Sequence, residues 1–465
     1  MPEERGNQGR WKRKEKGRAV CCGFLALMAM AMMFLIIFGL LVGGMGGVPP
    51  TPAADVYLGV SRGAGQKIHM VVAGFSTPVS GEDGKSLNLL AERTLRADMD
   101  FSGVVSVADP DSLPFDPKAV KPGGEAQFLA KLSSLSIQVM LAADLNRIGN
   151  KVFLDAKLFD VATQQPIFHN RYAASPKDIR AAVHRLADDI VHYLTGEHGI
   201  ARTKLAFVSN RSGAKEIFVM DLDGDRVVQM TRNNSLNLTP RWSPDGRFLA
   251  YVSYRDGNPD LFLLDVTCGR RTKLSSLPGL NISPAWSPDG KWIALALSKD
   301  GYTNLYLIRP DGGGLRPITN GKAIFVSPTW SPNGRQIAFV SDQGGAPQIY
   351  VMDAEGTNMR RLTFKGNYNT SPAWSPKGDK IAFVSNLSRN LDIFVMNADG
   401  SGLRNLTRGA GDNESPSWSP DGRYIVFSST RHGRSGIYLM REDGSGQRRL
   451  TPDDADYYTP DWSRR

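Results

Sequence analysis

Short apolar runs with the period of a β-strand fill the second half of the chain. Residues 249–253 (LAYVS), 293–297 (IALAL), 337–341 (IAFVS), 381–385 (IAFVS) and 425–429 (IVFSS) each have the length and pattern of a buried strand. A second apolar run follows each one (LFLLDV, LYLIRP, IYVMDA, IFVMNA, IYLMRE). Asp/Gly turns close most of these, and every unit ends on a short Leu-Thr strand or a near variant. Ahead of each first run stands Pro-x-Trp-Ser, whose tryptophans (Trp242, Trp286, Trp330, Trp374, Trp418, Trp462) recur every 44 residues. Five of the six continue as Ser-Pro-x-Gly, a β-turn in which Pro fixes φ at the second position and Gly suits the fourth. Four strands per repeat is the pattern of a propeller blade. A solenoid unit of this length would be helical, and here the apolar period is two.

The ends of the repeat decide closure. Residues 205–231 hold LAFVS, IFVMDLDG and Met230-Thr231, a unit that lacks its Pro-x-Trp-Ser strand, and Thr459-Pro460-Asp461-Trp462-Ser463 at the C-terminus is that strand alone. Three strands from the start and one from the end complete a blade, so the sequence predicts a closed six-bladed β-propeller over 201–465, with no open sheet edge at the seam.

Ahead of the repeat, 67–75 reads as a strand, 86–98 as a helix, 104–108 as a strand and 124–135 as a helix, followed by extended runs over 136–145, 151–161 and 166–173. A last helix is expected from Ser175 as cap and Pro176 as first helical residue, with the stripe Ile179, Ala182, Val183, Leu186, Ile190, Tyr193, Leu194 and a stop at Gly196. The order βαβαβββα predicts a small α/β domain over 55–200. Residues 1–54 read as an export signal or an N-terminal membrane anchor: cationic Arg10, Lys12, Arg13, Lys14, Lys16 and Arg18, an uncharged apolar run over 19–42, then Gly/Pro breakers and small residues. Cleavage is placed near Ala54. A lipoprotein is not expected, because Cys21 and Cys22 precede the apolar core.

Composition changes this picture little. Gly at 48 and Pro at 28 suit many short strands and tight turns. The net charge of +10 includes the basic leader, yet 201–465 still carries 34 Lys and Arg against 26 Asp and Glu, which suggests an acidic partner. No stretch outside the leader interleaves basic and aromatic residues, so nucleic acid is not an expected partner. Cys268, the one cysteine of the globular part, reads as a small buried apolar residue. His69, His169, His184, His192 and His198 read as surface or packing residues, since none has metal-ligand spacing apart from the distant pair His184 and His192. No cofactor motif, metal site or Gly-x-Ser-x-Gly elbow is present, and the propeller's single histidine, His432, lies in a turn. The chain therefore reads as a binding protein without catalytic residues. The competing readings are a propeller hydrolase or lyase acting on peptides or saccharides, and a generic envelope propeller that binds small ligands.

The recurrent Trp, Pro and Gly explain the fold and supply no chemistry. Function is expected where the repeats disagree, in the stretches before Pro-x-Trp-Ser, which converge on one mouth of the channel. Asn234, Asn237, Asn281, Asn367, Asn369 and Asn413 are expected to give that mouth an amide-rich lining suited to a docked protein segment.

With Leu194-Thr195-Gly196-Glu197, Arg202-Thr203-Lys204-Leu205-Ala206-Phe207-Val208 and six Pro-x-Trp-Ser blades behind a small α/β domain, residues 55–465 resemble the TolB family of the periplasmic Tol–Pal system. That resemblance implies a non-enzymatic monomer that docks a Pal-type peptidoglycan-associated lipoprotein at the propeller mouth. The positions implied are Asn237, Leu280, Asn281, Ser283, Val326, Ser327, Asn369, Thr370, Glu414 and Tyr458. It also implies a TolA-type inner-membrane partner for the arm Asp55, Val56, Tyr57 and Leu58, by strand addition to a sheet edge.

Overall fold

The structure, a computed structural model, describes residues 67–76, 82–117 and 125–464, all within one compact unit that reaches from Arg62 to Arg465. The leader and the arm Asp55, Val56, Tyr57 and Leu58 lie outside the described residues.

The elements ahead of the repeat follow the predicted order: β1 (Ile68–Ser76), α1 (Glu82–Ser102), β2 (Val105–Val107), α2 (Glu125–Leu132), β3 (Val139–Ile148), β4 (Lys151–Asp160), β5 (Pro166–Ala174) and α3 (Ile179–Thr195). The sheet order is β2-β1-β3-β4-β5. β1 runs parallel to β2 and β3, and the other pairs are antiparallel. The continuous apolar run of β1 reflects burial on both faces. Met70 and Val72 pack under α1 and α3 with Leu95, Met99 and Leu186, whereas Val71 and Ala73 pack under α2 with Phe128 and Leu132. The start of α3 differs from expectation. Pro176–Asp178 forms a 3-10 turn, and Ser175 caps nothing, because its hydroxyl donates to the Asp178 carboxylate at 2.7 Å. Gly196 ends the helix as expected, left-handed at φ 73° with its N–H on the His192 carbonyl at 2.7 Å.

From Lys204 onward the chain forms six four-stranded sheets. Blade 1 combines the C-terminal strand Tyr457–Trp462 with Lys204–Ser212, Ala214–Asp221 and Val228–Gln229; blades 2 to 6 follow at 237–275, 281–317, 325–361, 369–405 and 413–449. The seam is antiparallel, with Tyr457 opposite Ser209 and Trp462 opposite Leu205. It is clamped from both sides. Trp462 N–H donates to Ser417 Oγ of blade 6 at 3.0 Å, and Asp461 accepts the Trp242 N–H of blade 2 at 2.8 Å. Lys204 N–H reaches Ser463 Oγ at 2.8 Å, and the Trp462 indole N–H reaches Thr203 Oγ1 at 2.8 Å.

The repeated residues hold blade to blade. Trp286, Trp330 and Trp418 donate their indole N–H to a backbone carbonyl of the preceding blade at 3.2, 3.1 and 3.0 Å. The Ser-Pro-x-Gly turns form as read: Gly246 N–H donates to the Ser243 carbonyl at 2.9 Å, while Asp245 accepts from Ser243 Oγ and the Arg247 N–H. On the circumference the outermost strands of blades 3 to 6 are two residues long, and Arg316, Arg360, Arg404 and Arg448 sit exposed on them. Short, charged edges discourage pairing with other chains. Part of the propeller's positive charge is thus spent on its rim and does not line the mouth.

Candidate partner-binding mouth

Every innermost strand enters at one end of the channel, and those of blades 2 to 6 leave through a Ser-Pro-x-Gly turn at the other, so the disc has a loop face and a turn face. The channel cavity, about 750 Å³, is lined by Thr239, Ser283, Ser327, Ser371, Ser415 and Thr459 and by residues Gly196–Ile200 that lead out of α3. The six hydroxyl residues all sit at left-handed φ, between 44° and 56°. In every blade the inner strand slips register there, a β-bulge just before the proline. The strain is locked by the flanking pairs and by the tryptophan that follows.

On the turn face the α/β elements pack against blades 1 and 6. Phe101 and Ile200 join Leu205, Tyr424 and Trp462 in one apolar cluster. Around it the charges are matched. Arg180 Nη1 donates to Thr94 Oγ1 at 3.2 Å and to Asp225 at 2.9 Å, and its other amine binds Asp223. His184 Nδ1 lies 2.7 Å from Asp98, and Lys204 Nζ lies 2.6 Å from Asp221. Arg448 reaches Asp100 at 3.1 Å and stacks over Phe101 at 4.1 Å, and Arg423 pairs with Glu197 at 2.5 Å. Burial, opposed by the hydrogen bond and charge of His184, pushes the Asp98 carboxyl up to about 6. The histidines of this domain thus take the packing and surface roles expected, with His192 stacked on His198 at 5.4 Å.

The loop face is built differently, and it corrects the expected lining. Asn237, Asn281, Asn369 and Asn413 are wholly buried. Their side chains are latches between blades. Asn237 Nδ2 donates to Glu216 of blade 1 at 2.9 Å, Asn281 accepts from Ser275 of blade 2 at 2.7 Å, and Asn369 donates to Gln348 of blade 4 at 2.9 Å. Asn413 donates to Asp392 of blade 5 and to three carbonyls. Burial would raise the Asp392 carboxyl, but hydrogen bonds from Ser388, Thr407, Asn405 and Gly409 N–H hold it below the usual range. These four amides are turned into the frame and away from a partner, whereas Asn234 and Asn367 of the expected lining stay exposed. A wholly buried polar group is stable only when it is paired in this way. Phe325 and Tyr457 fill the same position in the other two blades and are buried too.

The flanking positions face outward. One residue before the latch, the 44-residue register gives Leu236, Leu280, Ile324 and Tyr368 and then Asp412 and Asp456. The four apolar members are exposed, Ile324 by half its surface. One residue after the latch come Leu238, Ile282, Val326, Thr370, Glu414 and Tyr458, of which Glu414 is exposed and the rest half-buried. Residues two apart share a face of a strand, so the two series form concentric rings around the mouth. Of the sequence-derived candidates, Leu280 and Glu414 are exposed, Val326, Thr370 and Tyr458 are half-buried, and Ser283 and Ser327 lie on the channel wall. Tyr458 is covered by Lys215, whose ammonium sits 4.2 Å over the ring. Asn237, Asn281 and Asn369 are removed from the surface as described. Leu236, Ile324, Tyr368, Asp412 and Asp456 were missed, although their signal, the same register as Leu280, was present in the repeat.

Glu414 makes no side-chain hydrogen bond or ion pair among the described residues; partial burial and the neighbouring Asp412 raise its carboxyl above the usual range. Among the described residues no three His, Cys, Asp or Glu could hold a metal ion, and no helix is long and apolar enough to cross a membrane. Cys268 is exposed and free, against the burial expected of it. It lies in the tight Asp265–Arg270 turn, which leaves no core for it to enter.

Six closed blades, an inner-strand bulge in each and an α/β region ahead of them define a six-bladed β-propeller protein. The family model described as the TolB beta propeller domain matches residues 191–386 and 367–465. The chain belongs to the TolB β-propeller family. Tol-Pal system protein TolB of Geobacter metallireducens is 44% identical over 36% of this chain and 39% of its own length. Its counterpart in Geobacter sulfurreducens is 40% identical over 47% and 49%. The chain thus spans about half the length, or less, of the curated relatives it matches. The crystal structure of TolB from Acinetobacter baumannii superposes with a TM-score of 0.73 at 25% identity, over 86% of this chain and 97% of that one.

Proposed function

We propose that this chain is a protein-binding scaffold of a Tol–Pal system. It works in the periplasm, docks a Pal-type lipoprotein on the loop face of its propeller, and so maintains outer-membrane integrity and constriction at division. The reading takes 1–54 as the export signal or anchor, 55–200 as the α/β domain and 201–465 as the propeller. The arm Asp55, Val56, Tyr57 and Leu58 serves a TolA-type partner. No catalytic residue, cofactor or nucleic acid enters the mechanism, and the working form is a monomer. One observation carries it: over blades 1 and 6 the turn face is packed by the chain's own α/β domain with its charges matched, whereas the loop face leaves an arc of four repeat-equivalent apolar side chains uncovered. An uncovered apolar arc with a polar border is the anatomy of a protein-docking surface.

The test is calorimetric titration of residues 55–465 with the soluble domain of the Pal-type lipoprotein from the same organism, together with deletion of the gene. Association and a leaky outer membrane are expected. No association, with a normal envelope in the deletion strain, overturns the scaffold reading.

A further inference from the structure

The two rings around the mouth are chemically divided. Over blades 2 to 5 the outward position before the latch is apolar in succession: Leu236, Leu280, Ile324 and Tyr368. Over blades 6 and 1 the same position is Asp412 and Asp456, and the position after the latch in blade 6 is Glu414. Blade packing does not require this division, because the latch between the two positions is buried in all six blades whatever flanks it. The acidic groups also differ among themselves. Asp456 is engaged by Asn210 and by the Ser435 N–H, and Asp412 accepts the Leu391 N–H at 3.1 Å. Glu414 has no such partner among the described residues. An exposed carboxylate beside a second one, both at the border of an apolar arc, is unfavourable in the free protein and is relieved by a cation brought in from outside.

We propose that the mouth recognises a two-sided protein surface: apolar side chains laid over the Leu236–Leu280–Ile324 arc, with an arginine or lysine of the same partner seated against Glu414 and Asp412. This rests on the scaffold reading and specifies what the docked protein must carry. The division also sets orientation. A six-fold-like ring offers several equivalent ways to seat a partner, and a single acidic sector selects one of them, because any other rotation leaves the cation over leucine and the carboxylates uncompensated. The occupant is committed to a folded protein; a cationic peptide without an apolar side would be held only weakly and would leave at moderate salt.

The experiment is titration of the Pal-type domain into the wild-type protein and two double variants, each at low and at physiological salt, with thermal melts to confirm that all three fold. Glu414→Gln with Asp412→Asn keeps size and one carbonyl acceptor on each side chain; it is expected to weaken binding about tenfold at low salt and to remove most of the salt dependence. Leu280→Ser with Ile324→Ser is expected to weaken binding by about tenfold or more while the salt dependence stays. If the wild type binds and the carboxamide variant matches it in affinity and salt dependence, the cation seat is wrong and the scaffold reading stands. If the serine variant matches the wild type, the apolar arc is wrong. If the wild type does not bind at all, the scaffold reading falls and this inference falls with it.

Discussion

The two faces of the propeller disc are made from the same repeat, yet they end in opposite states. On the turn face the chain has bound itself: Arg180, Lys204, Arg423 and Arg448 each meet a carboxylate, and Phe101 and Ile200 close the apolar surface. On the loop face each buried asparagine latch reaches the neighbouring blade through at least one hydrogen bond, but the outward residues are left without such partners. Leu236, Leu280, Ile324 and Tyr368 stay exposed and Glu414 stays unpaired. The difference teaches that exposure at the mouth is a property of selected positions. It is not a general looseness of loops, because the neighbouring residue in the same strand is among the best-held in the molecule.

The largest way to break the comparison is on the turn face. Arg180→Met leaves the largely buried Asp223 and the half-exposed Asp225 without their shared guanidinium, which is expected to cost about 3 kcal/mol and to separate the α/β and propeller transitions in calorimetry. A single transition with unchanged midpoint would contradict the matched-charge account. Next comes the latch. Asn413→Ala removes one donor from Asp392 and the shared amide of three carbonyls, and a loss of about 2 kcal/mol in denaturant unfolding is expected. Retention of the full midpoint would mean the amide is replaceable by water.

A third test uses pH. Asp98 has a folded value of about 6, above its unfolded one near 4. Its favourable contribution is therefore complete below about pH 4 and is lost as pH rises through 6, an effect on the order of 2 kcal/mol. Asp98→Asn is expected to lack that decline, read as the difference between the two stability profiles across this window. Parallel profiles would show that His184 compensates the charge in full.

The smallest effects belong to the loop face. Leu280→Ser is expected to shift stability by no more than about 0.5 kcal/mol. Glu414→Gln should be neutral or slightly stabilising. Its raised folded value means that the wild type loses a little stability as pH climbs through it, a few tenths of a kcal/mol at most once solvent screening is counted. A large loss from either would move these residues from the surface into the frame.

Much of this was legible in the repeat. The tryptophan spacing, the Ser-Pro-x-Gly turns and the orphan strand at the C-terminus define six blades and their seam, because each is a local signal whose geometry is set within a few residues. The order βαβαβββα was legible for the same reason. The mouth was read only in part. Asparagines before Pro-x-Trp-Ser looked like a lining because polar residues in loops are ordinarily exposed, and the same logic buried Cys268. Four of the six asparagines and Cys268 departed from these assignments on solvent access, which composition does not encode, while Asn234 and Asn367 stayed exposed. The paired turn face was also invisible, since Arg180 and Asp223 or Arg448 and Asp100 meet only through the packing of one domain on another. The sequence by itself determined the number of blades, their turns and the closing strand, because a repeat of fixed length can satisfy its backbone hydrogen bonds only by pairing within each unit. Only the tertiary structure decided which polar groups were consumed and which were left to a partner. Satisfaction of a buried donor depends on what the neighbouring blade presents, and that is a relation between residues tens to hundreds of positions apart.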